Sequence, residues 1–210
     1  MTSEKAVAEK LLQVQAVTLR PNDPFTWASG WKSPIYCDNR KVLSFMHARE
    51  FIKSEMCNLI FSRFTDADLI AGVSTAGIAW GVLAADQLKL PFVYVRPKPK
   101  EHGMGNQVEG HFEKGQKTVV VEDLISTGKS SLQVVDALRA AELEVMGMVS
   151  IFTYAFDKAQ EDFKTAGVTS YSLTNYPVMI SLAIEKGLVT SEQESVLLNW
   201  KTDPSSWKGF

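Results

Sequence analysis

Short apolar runs alternate with amphipathic segments through the middle of the chain. Strand-like runs occupy residues 67–73, 91–96, 118–123, 144–154 and 168–173, and helical spacing marks residues 75–88 and 127–142. Strands separated by helices of this length predict βαβ units. We therefore expect an α/β fold, with an open and mainly parallel sheet flanked by helices.

The two ends of the chain have a different pattern. Residues 3–17 and 46–62 have helical periodicity, and residues 175–200 also predict helices. Between the first two helices, residues 21–40 are rich in proline and aromatic residues, which is typical of a structured loop with one short hairpin. We predict a single domain over residues 1–210, in which residues 1–40 form a small cap, residues 60–175 form the core and residues 176–210 form C-terminal helices.

Composition narrows the class of protein. A chain of 210 residues is long enough for one large domain without stabilising disulfides, and its two cysteines have no metal-ligand spacing. A net charge of −2 gives no indication of a nucleic-acid partner. The N-terminus lacks the apolar stretch of a signal peptide, and no apolar run reaches the roughly 18 residues of a membrane span. We expect a cytoplasmic protein that binds neither membranes nor nucleic acid.

The segment "VVVEDLISTGKSS" is the strongest chemical signal in the sequence. A buried strand leads into Glu122 and Asp123, then into a turn with Gly128, and then into a helix. The N-terminus of a helix binds anions through unpaired amide groups, while carboxylates bind hydroxyl groups. A ligand with hydroxyls on one side and a phosphate on the other, such as ribose 5-phosphate, satisfies both. The alternative is an ordinary helix cap made by Ser126 or Thr127.

The second signal is the basic loop "RPKPKEHGMGNQVEG" at residues 96–110. Arg96, Lys98, Lys100 and His102 lie within seven residues of one another, so they could neutralise a pyrophosphate leaving group. Its length and its glycines are typical of a lid over a site. The alternative is a solvated basic loop.

These motifs resemble a known family. The turn is similar to the phosphoribosyl pyrophosphate signature of the type I phosphoribosyltransferases. The basic loop, with the pattern Arg-x-x-x-Lys-x-His-Gly, and the cap segment "FTWASGWKSPIYCDNR" at residues 25–40 resemble those of orotate phosphoribosyltransferases. The resemblance extends from about residue 20 to about residue 200. It implies transfer of the ribose 5-phosphate of phosphoribosyl pyrophosphate to orotate in pyrimidine biosynthesis, a homodimer whose lid reaches the partner's site, and Mg²⁺ held through substrate oxygens.

The resemblance also implies roles for particular residues. Those implied in catalysis are Arg96, Lys100, His102 and Asp123. Those implied in binding phosphoribosyl pyrophosphate are Arg96, Lys98, Lys100, His102, Glu122, Asp123, Leu124, Ile125, Ser126, Thr127, Gly128, Lys129 and Ser130. Those implied in binding orotate are Lys32, Tyr36, Cys37 and Ser126.

The sequence departs from the family pattern at several positions: Pro97 follows Arg96 where some members have lysine, and Cys37 stands in place of an aromatic residue. Ala28 and Ala76 stand where some members have lysine, and Lys32 and Lys98 are the candidate replacements. Two other functions remain open at this stage: a phosphoribosyltransferase for a purine or for uracil, and a regulator that binds the phosphoribosyl ligand without turnover. The cap and lid motifs disfavour the first. The second lacks a helix-turn-helix segment and a basic stripe.

Overall fold

The architecture follows from a central sheet with helices on both faces. A computed structural model describes residues 2–27, 29–98 and 107–209. Within these residues, the sheet has six strands in the order β10-β9-β8-β5-β6-β7. All neighbouring pairs are parallel except β6 and β7. The predicted α/β fold with an open, mainly parallel sheet is therefore confirmed.

The elements of this fold are bounded as follows. The helices are α1 (Ser3–Gln13), α2 (Met46–Arg63), α3 (Ala76–Leu88), α4 (Lys129–Ala140), α5 (Asp157–Thr165), α6 (Tyr176–Glu185) and α7 (Ser191–Thr202), with a 3-10 helix at Asn39–Ser44. The strands are β1 (Val17–Leu19), β2 (Phe25–Thr26), β3 (Lys32–Ser33), β4 (Ile35–Cys37), β5 (Leu69–Val73), β6 (Phe92–Val95), β7 (Val108–Glu109), β8 (Lys117–Ile125), β9 (Glu144–Thr153) and β10 (Ser170–Asn175).

The central strands are apolar because helices cover both of their faces. All five residues of β5 are buried, and β8 is buried continuously from Thr118 to Glu122. Helix α3 lies directly against β8: a Cβ added at Gly77 would lie 2.5 Å from the carbonyl oxygen of Val121. Glycine is therefore required for this contact, which brings the start of α3 beside the acidic end of β8.

The structure corrects several boundaries predicted from periodicity. The first helix ends at Gln13 rather than at residue 17, because Gln15 has a left-handed φ of 54° and Val17 begins a strand that pairs with Cys37. Strand β8 continues to Ile125, two residues beyond the predicted end at residue 123. Helix α5 and strand β7 were not predicted, since each is short and polar in part.

The N-terminal segment forms two small antiparallel pairs. Strands β2 and β3 make the expected short hairpin, and β1 pairs with β4 in addition. Helix α1 packs against α6 and β10. The helices in the described part of the chain are each too short or too polar to cross a membrane. Both cysteines are buried and have free thiols.

Candidate active site

A cleft of about 400 Å³ opens at the carboxyl ends of β5 and β8. Its lining residues are Cys37, Asp38, Arg40, Val73, Ser74, Thr75, Ala76, Glu122, Asp123, Leu124 and Ser130. The carboxyl edge of a parallel sheet is where α/β proteins bind ligands, because the loops that follow the strands meet there. Three parts of the sequence thus converge on one cleft: the cap, the turn after β5 and the turn after β8.

Two acids form the floor of this cleft. The backbone amide of Asp123 donates to Glu122 Oε1 at 3.0 Å, and Ser131 Oγ donates to Glu122 Oε2 at 3.4 Å. Burial raises the pKa of Glu122 well above its ordinary value, and the charge of Asp123 adds to the shift. Burial also raises the pKa of Asp123, although its hydrogen bond with Glu122 and the charge of Arg40 act in the opposite direction. Such acids are stabilised by a ligand that donates hydroxyl groups.

The turn after β8 has the geometry of an anion site. Gly128 is the N-cap of α4 with a left-handed φ of 79°, and a Cβ there would lie 2.8 Å from Phe163 Cε2. Since glycine has no side chain, it cannot cap the first amides of α4, which remain available to an anion. The ordinary cap by Ser126 or Thr127 is not formed. Ser130 lines the cleft, and Thr127 and Lys129 are exposed at the turn.

The cap joins the cleft through Asn39. This side chain is fully buried, and its Nδ2 donates to the carbonyl oxygen of Asp123 at 2.7 Å. Its Oδ1 accepts from Cys37 Sγ at 3.4 Å. Asp38 Oδ1 accepts from Arg40 Nε at 2.6 Å and from the Arg40 backbone amide at 3.2 Å. The wall of the cleft is therefore tied to its floor and is itself held rigid.

An aromatic cluster positions the β2–β3 hairpin. Trp200 on α7 is fully buried, and its Nε1 donates to the carbonyl oxygen of Lys32 at 3.0 Å. The ring of Trp27 lies 5.1 Å from that of Tyr154 and 5.7 Å from that of Trp200, measured between ring centroids. The C-terminal helix thus fixes the location of the hairpin relative to the sheet.

The predicted orotate residues do not all face the cleft. Cys37 lines it, whereas Lys32 Nζ donates to Thr26 Oγ1 at 2.8 Å within the hairpin. Tyr36 is 43% exposed, with its ring centroid 5.5 Å from that of Phe25. Strand alternation explains the difference, because Tyr36 and Cys37 point to opposite sides of β4. Ser126 is half-buried in the turn after β8.

Among the predicted cations of the lid, Arg96 directly follows β6. Arg96 Nη1 is 3.4 Å from Glu109 Oε1, and the Arg96 carbonyl oxygen accepts from Gln107 Nε2 at 2.8 Å. Lys98 is exposed. Lys100 and His102 lie outside the described residues. Arg96 therefore forms the base of the loop, next to the strand pair β6–β7.

Sequence reasoning did not single out several residues at the cleft. They are Asp38, Asn39, Arg40, Ser74, Thr75 and Ser131. The position of the turn after β5 at a strand end is a signal for Ser74 and Thr75, because strand ends in parallel sheets meet at one edge. No local pattern identifies Asn39 as a contact of Asp123, since the two are 84 residues apart.

Comparison with known proteins agrees with this geometry. Residues 46–179 match the model of the phosphoribosyl transferase domain. Over 207 residues the chain is 51% identical to an orotate phosphoribosyltransferase of Phocaeicola vulgatus, covering 99% of this chain and 98% of the relative. It is 53% identical to that of Bacillus subtilis over 207 residues, covering 99% and 96%. A crystal structure of the Aeropyrum pernix orotate phosphoribosyltransferase superposes with a TM-score of 0.76 at 27% identity, covering 87% of this chain and 99% of that one.

The parallel sheet, the paired acids and the open helix N-terminus define a phosphoribosyltransferase. The identities with full-length relatives specify the branch: the chain belongs to the orotate phosphoribosyltransferase family. Membership of this branch disfavours both the purine or uracil transferase and the regulator without turnover.

Proposed function

We propose that the cleft at the ends of β5 and β8 is where this chain carries out the reaction of its family. The chain is a pentosyltransferase: it transfers the ribose 5-phosphate of phosphoribosyl pyrophosphate to orotate, giving orotidine 5′-monophosphate and pyrophosphate in pyrimidine biosynthesis. The observation that supports this location is the acid pair Glu122 and Asp123, followed directly by the uncapped start of α4. In this proposal the acids bind the ribose hydroxyls, and residues 124–130 bind the 5-phosphate.

The chemical step replaces one bond at C1 of the ribose. The C1–oxygen bond breaks and its electron pair leaves with pyrophosphate, while orotate N1 bonds to C1 and its proton passes to solvent. Positive charge develops on the sugar and negative charge on the leaving group, so fixed charges near both lower the barrier. Asp123 lies where it can hold the sugar in line, and Arg96, Lys98, Lys100 and His102 are the cations proposed to meet pyrophosphate. Correct positioning of the two substrates supplies much of the remaining rate.

The donor set suits a magnesium ion that arrives with the substrate. Within the described ranges, no three or more histidine, cysteine, aspartate or glutamate side chains cluster as a metal cage. Mg²⁺ often keeps several waters and binds through substrate oxygens, so it would be held by oxygens of the pyrophosphate and of the ribose whose hydroxyls Glu122 and Asp123 bind. When bound, the ion would neutralise charge on pyrophosphate. The side chains of this chain would hold the ribose and exclude water.

Assembly and location are part of the same proposal. We propose a homodimer in which the lid of one subunit reaches the site of its partner, in the cytoplasm. Exposed apolar side chains support an interface on α2 and α3, because Phe61 is 71%, Met46 57% and Val82 46% exposed. Light scattering at several protein concentrations would test the dimer.

The experiment for the reaction mixes purified protein with Mg²⁺, phosphoribosyl pyrophosphate and orotate, and follows the ultraviolet absorbance of orotate. We expect loss of this absorbance in the wild type and a decrease in kcat of at least about 100-fold in Lys100→Ala and Asp123→Asn. Lys89→Ala and Asp86→Asn are matched controls, since these two residues form an ion pair that is about 80% exposed on α3. Equal rates in the site variants and the controls would contradict the proposed site.

A further inference from the structure

Arg40 stands out among the residues that line the cleft. It is the one arginine or lysine in the described lining. Asp38 Oδ1 holds it at Nε and at its backbone amide, and the Arg40 side chain nevertheless remains 62% exposed. The contact with Asp38 uses Nε, so the two Nη groups are available to a ligand; they make no hydrogen bond to the residues that the structure describes. These groups present four N–H donors in a fixed plane.

The substrates offer three anionic groups to the protein. In the proposed function the 5-phosphate is bound by the turn at residues 124–130, and pyrophosphate is bound by the cations that follow β6. The carboxylate of orotate is the group that neither of them accounts for. Arg40 is located on the cap wall beside Cys37, which is the wall assigned to the base. Its planar guanidinium matches a carboxylate through two parallel hydrogen bonds.

We propose that Arg40 binds the carboxylate of orotate and determines the choice of an acidic pyrimidine, with Asp38 as its positioning residue; this inference rests on the proposed function. A neutral pyrimidine such as uracil would leave the guanidinium without its partner. A site built to bind a charged group discriminates strongly against an analogue that lacks it. The short contact with Asp38 orients the guanidinium before the base arrives, so little side-chain entropy is lost on binding.

The test compares two nucleotides that differ only in this carboxylate. Orotidine 5′-monophosphate and uridine 5′-monophosphate share the base ring, ribose and 5′-phosphate, so their ratio of dissociation constants isolates the carboxylate. Titration calorimetry on the full chain measures both dissociation constants. The same method measures the dissociation constant of phosphoribosyl pyrophosphate in the presence of Mg²⁺. We expect the wild type to bind the orotate nucleotide about 10-fold or more tightly than the uridine nucleotide, as for a charge-assisted hydrogen bond.

Variants at the two positions complete the test. In Arg40→Gln we expect the preference to fall to within about 2-fold, through weaker binding of the orotate nucleotide alone. Arg40→Lys should recover part of the preference, because it keeps the charge without the planar fork. Asp38→Asn should give an intermediate loss. Lys41→Gln is the matched control, since its Nζ donates to the Gln15 carbonyl oxygen and it does not line the cleft; its preference should equal that of the wild type.

Three results would overturn the inference. One is a wild type that binds both nucleotides equally well. Another is an Arg40→Gln variant in which both nucleotides weaken together, which would mean a role in structure or in ribose binding. The third is a selective loss of affinity for phosphoribosyl pyrophosphate, which would assign Arg40 to pyrophosphate. Failure of the proposed function is distinguishable from all three, because the wild type would then neither bind the orotate nucleotide nor consume orotate.

Discussion

Asn39 provides the most direct test of how the cleft is held together. Its Nδ2 donates to the Asp123 carbonyl oxygen at 2.7 Å at the junction of cap and sheet, where Asn39 is fully buried and Asp123 is half-buried. Asn39→Ala removes the donor and leaves that carbonyl unpaired, which costs about 1–3 kcal/mol of unfolding free energy. Asn39→Asp keeps the shape but places a carboxylate against a carbonyl oxygen, beside Glu122 and Asp123.

At neutral pH, Asn39→Asp should be the more damaging change. An uncompensated buried charge costs about 3–5 kcal/mol when a buried partner is lost, and here two acids add to the repulsion. Burial and these neighbours will raise the pKa of the new carboxyl in the folded state above its unfolded value of about 3.9. When it is protonated, its O–H can donate to the Asp123 carbonyl oxygen in place of the amide.

The direction of the pH dependence follows from proton binding. Between the unfolded pKa and the raised folded pKa, the folded variant binds more protons than the unfolded variant. Its stability relative to the wild type must therefore fall as pH rises through this window, by up to about 1.4 kcal/mol per pH unit. Near pH 4 the variant should be close to the wild type.

The assay is urea unfolding followed by tryptophan fluorescence at pH 4, 5, 6, 7 and 8. Asn58→Asp is the matched control, because Asn58 is exposed on α2. We expect the control to change stability by less than about 0.5 kcal/mol at every pH. Two results would contradict this role of Asn39. One is an Asn39→Asp variant as stable as the wild type at pH 7, and the other is a difference in unfolding free energy between the two that does not change with pH.

Three further changes test the acid pair, the turn after β8 and the aromatic cluster around Trp200. Glu122→Gln should stabilise the fold above about pH 4.5, because the raised pKa of this glutamate in the folded state makes the stability of the wild type fall as pH rises. It should also abolish turnover. Melting temperatures across pH and the orotate assay measure the two effects, and a pH profile equal to that of the wild type would contradict the first. Gly128→Ala should cost about 1–3 kcal/mol and raise the KM for phosphoribosyl pyrophosphate, since its φ is 79° and a Cβ would meet an aromatic ring of α5. Gly187→Ala, with a φ of 67° and open space around its Cα, has the strain without the collision, so equal losses of unfolding free energy in the two variants would exclude the collision. Trp200→Phe removes the hydrogen bond to β3, so the free energy of unfolding should fall by about 1 kcal/mol and the melting temperature by roughly 2–4 °C. The KM for orotate should rise. An unchanged KM would show that the hairpin does not need this bond.

Local chemistry explains why the order of the strands and the location of the acid pair and its turn were predictable. The alternation of apolar runs and helical segments is a local property, and it identified all the parallel strands before the structure was known. Glu122, Asp123 and Gly128 are adjacent in sequence, so one turn brings them together. Short elements with weak periodicity, such as β7 and α5, could not be recognised in this way. The extension of β8 beyond Asp123 to Ile125 also depends on pairing with β9, which supplies partners as far as Thr153.

The fold class, the position of the acid pair and the glycine in the turn after β8 can be read from the amino-acid pattern, because each depends on neighbours along the chain. Which cap residues reach the cleft depends instead on how distant segments pack. The pairing of β1 with β4 directs Cys37 inward and Tyr36 outward, and the long-range contact of Asn39 with Asp123 brings Asp38 and Arg40 to the same wall. These relations depend on packing between segments far apart in the chain, which local pattern does not encode.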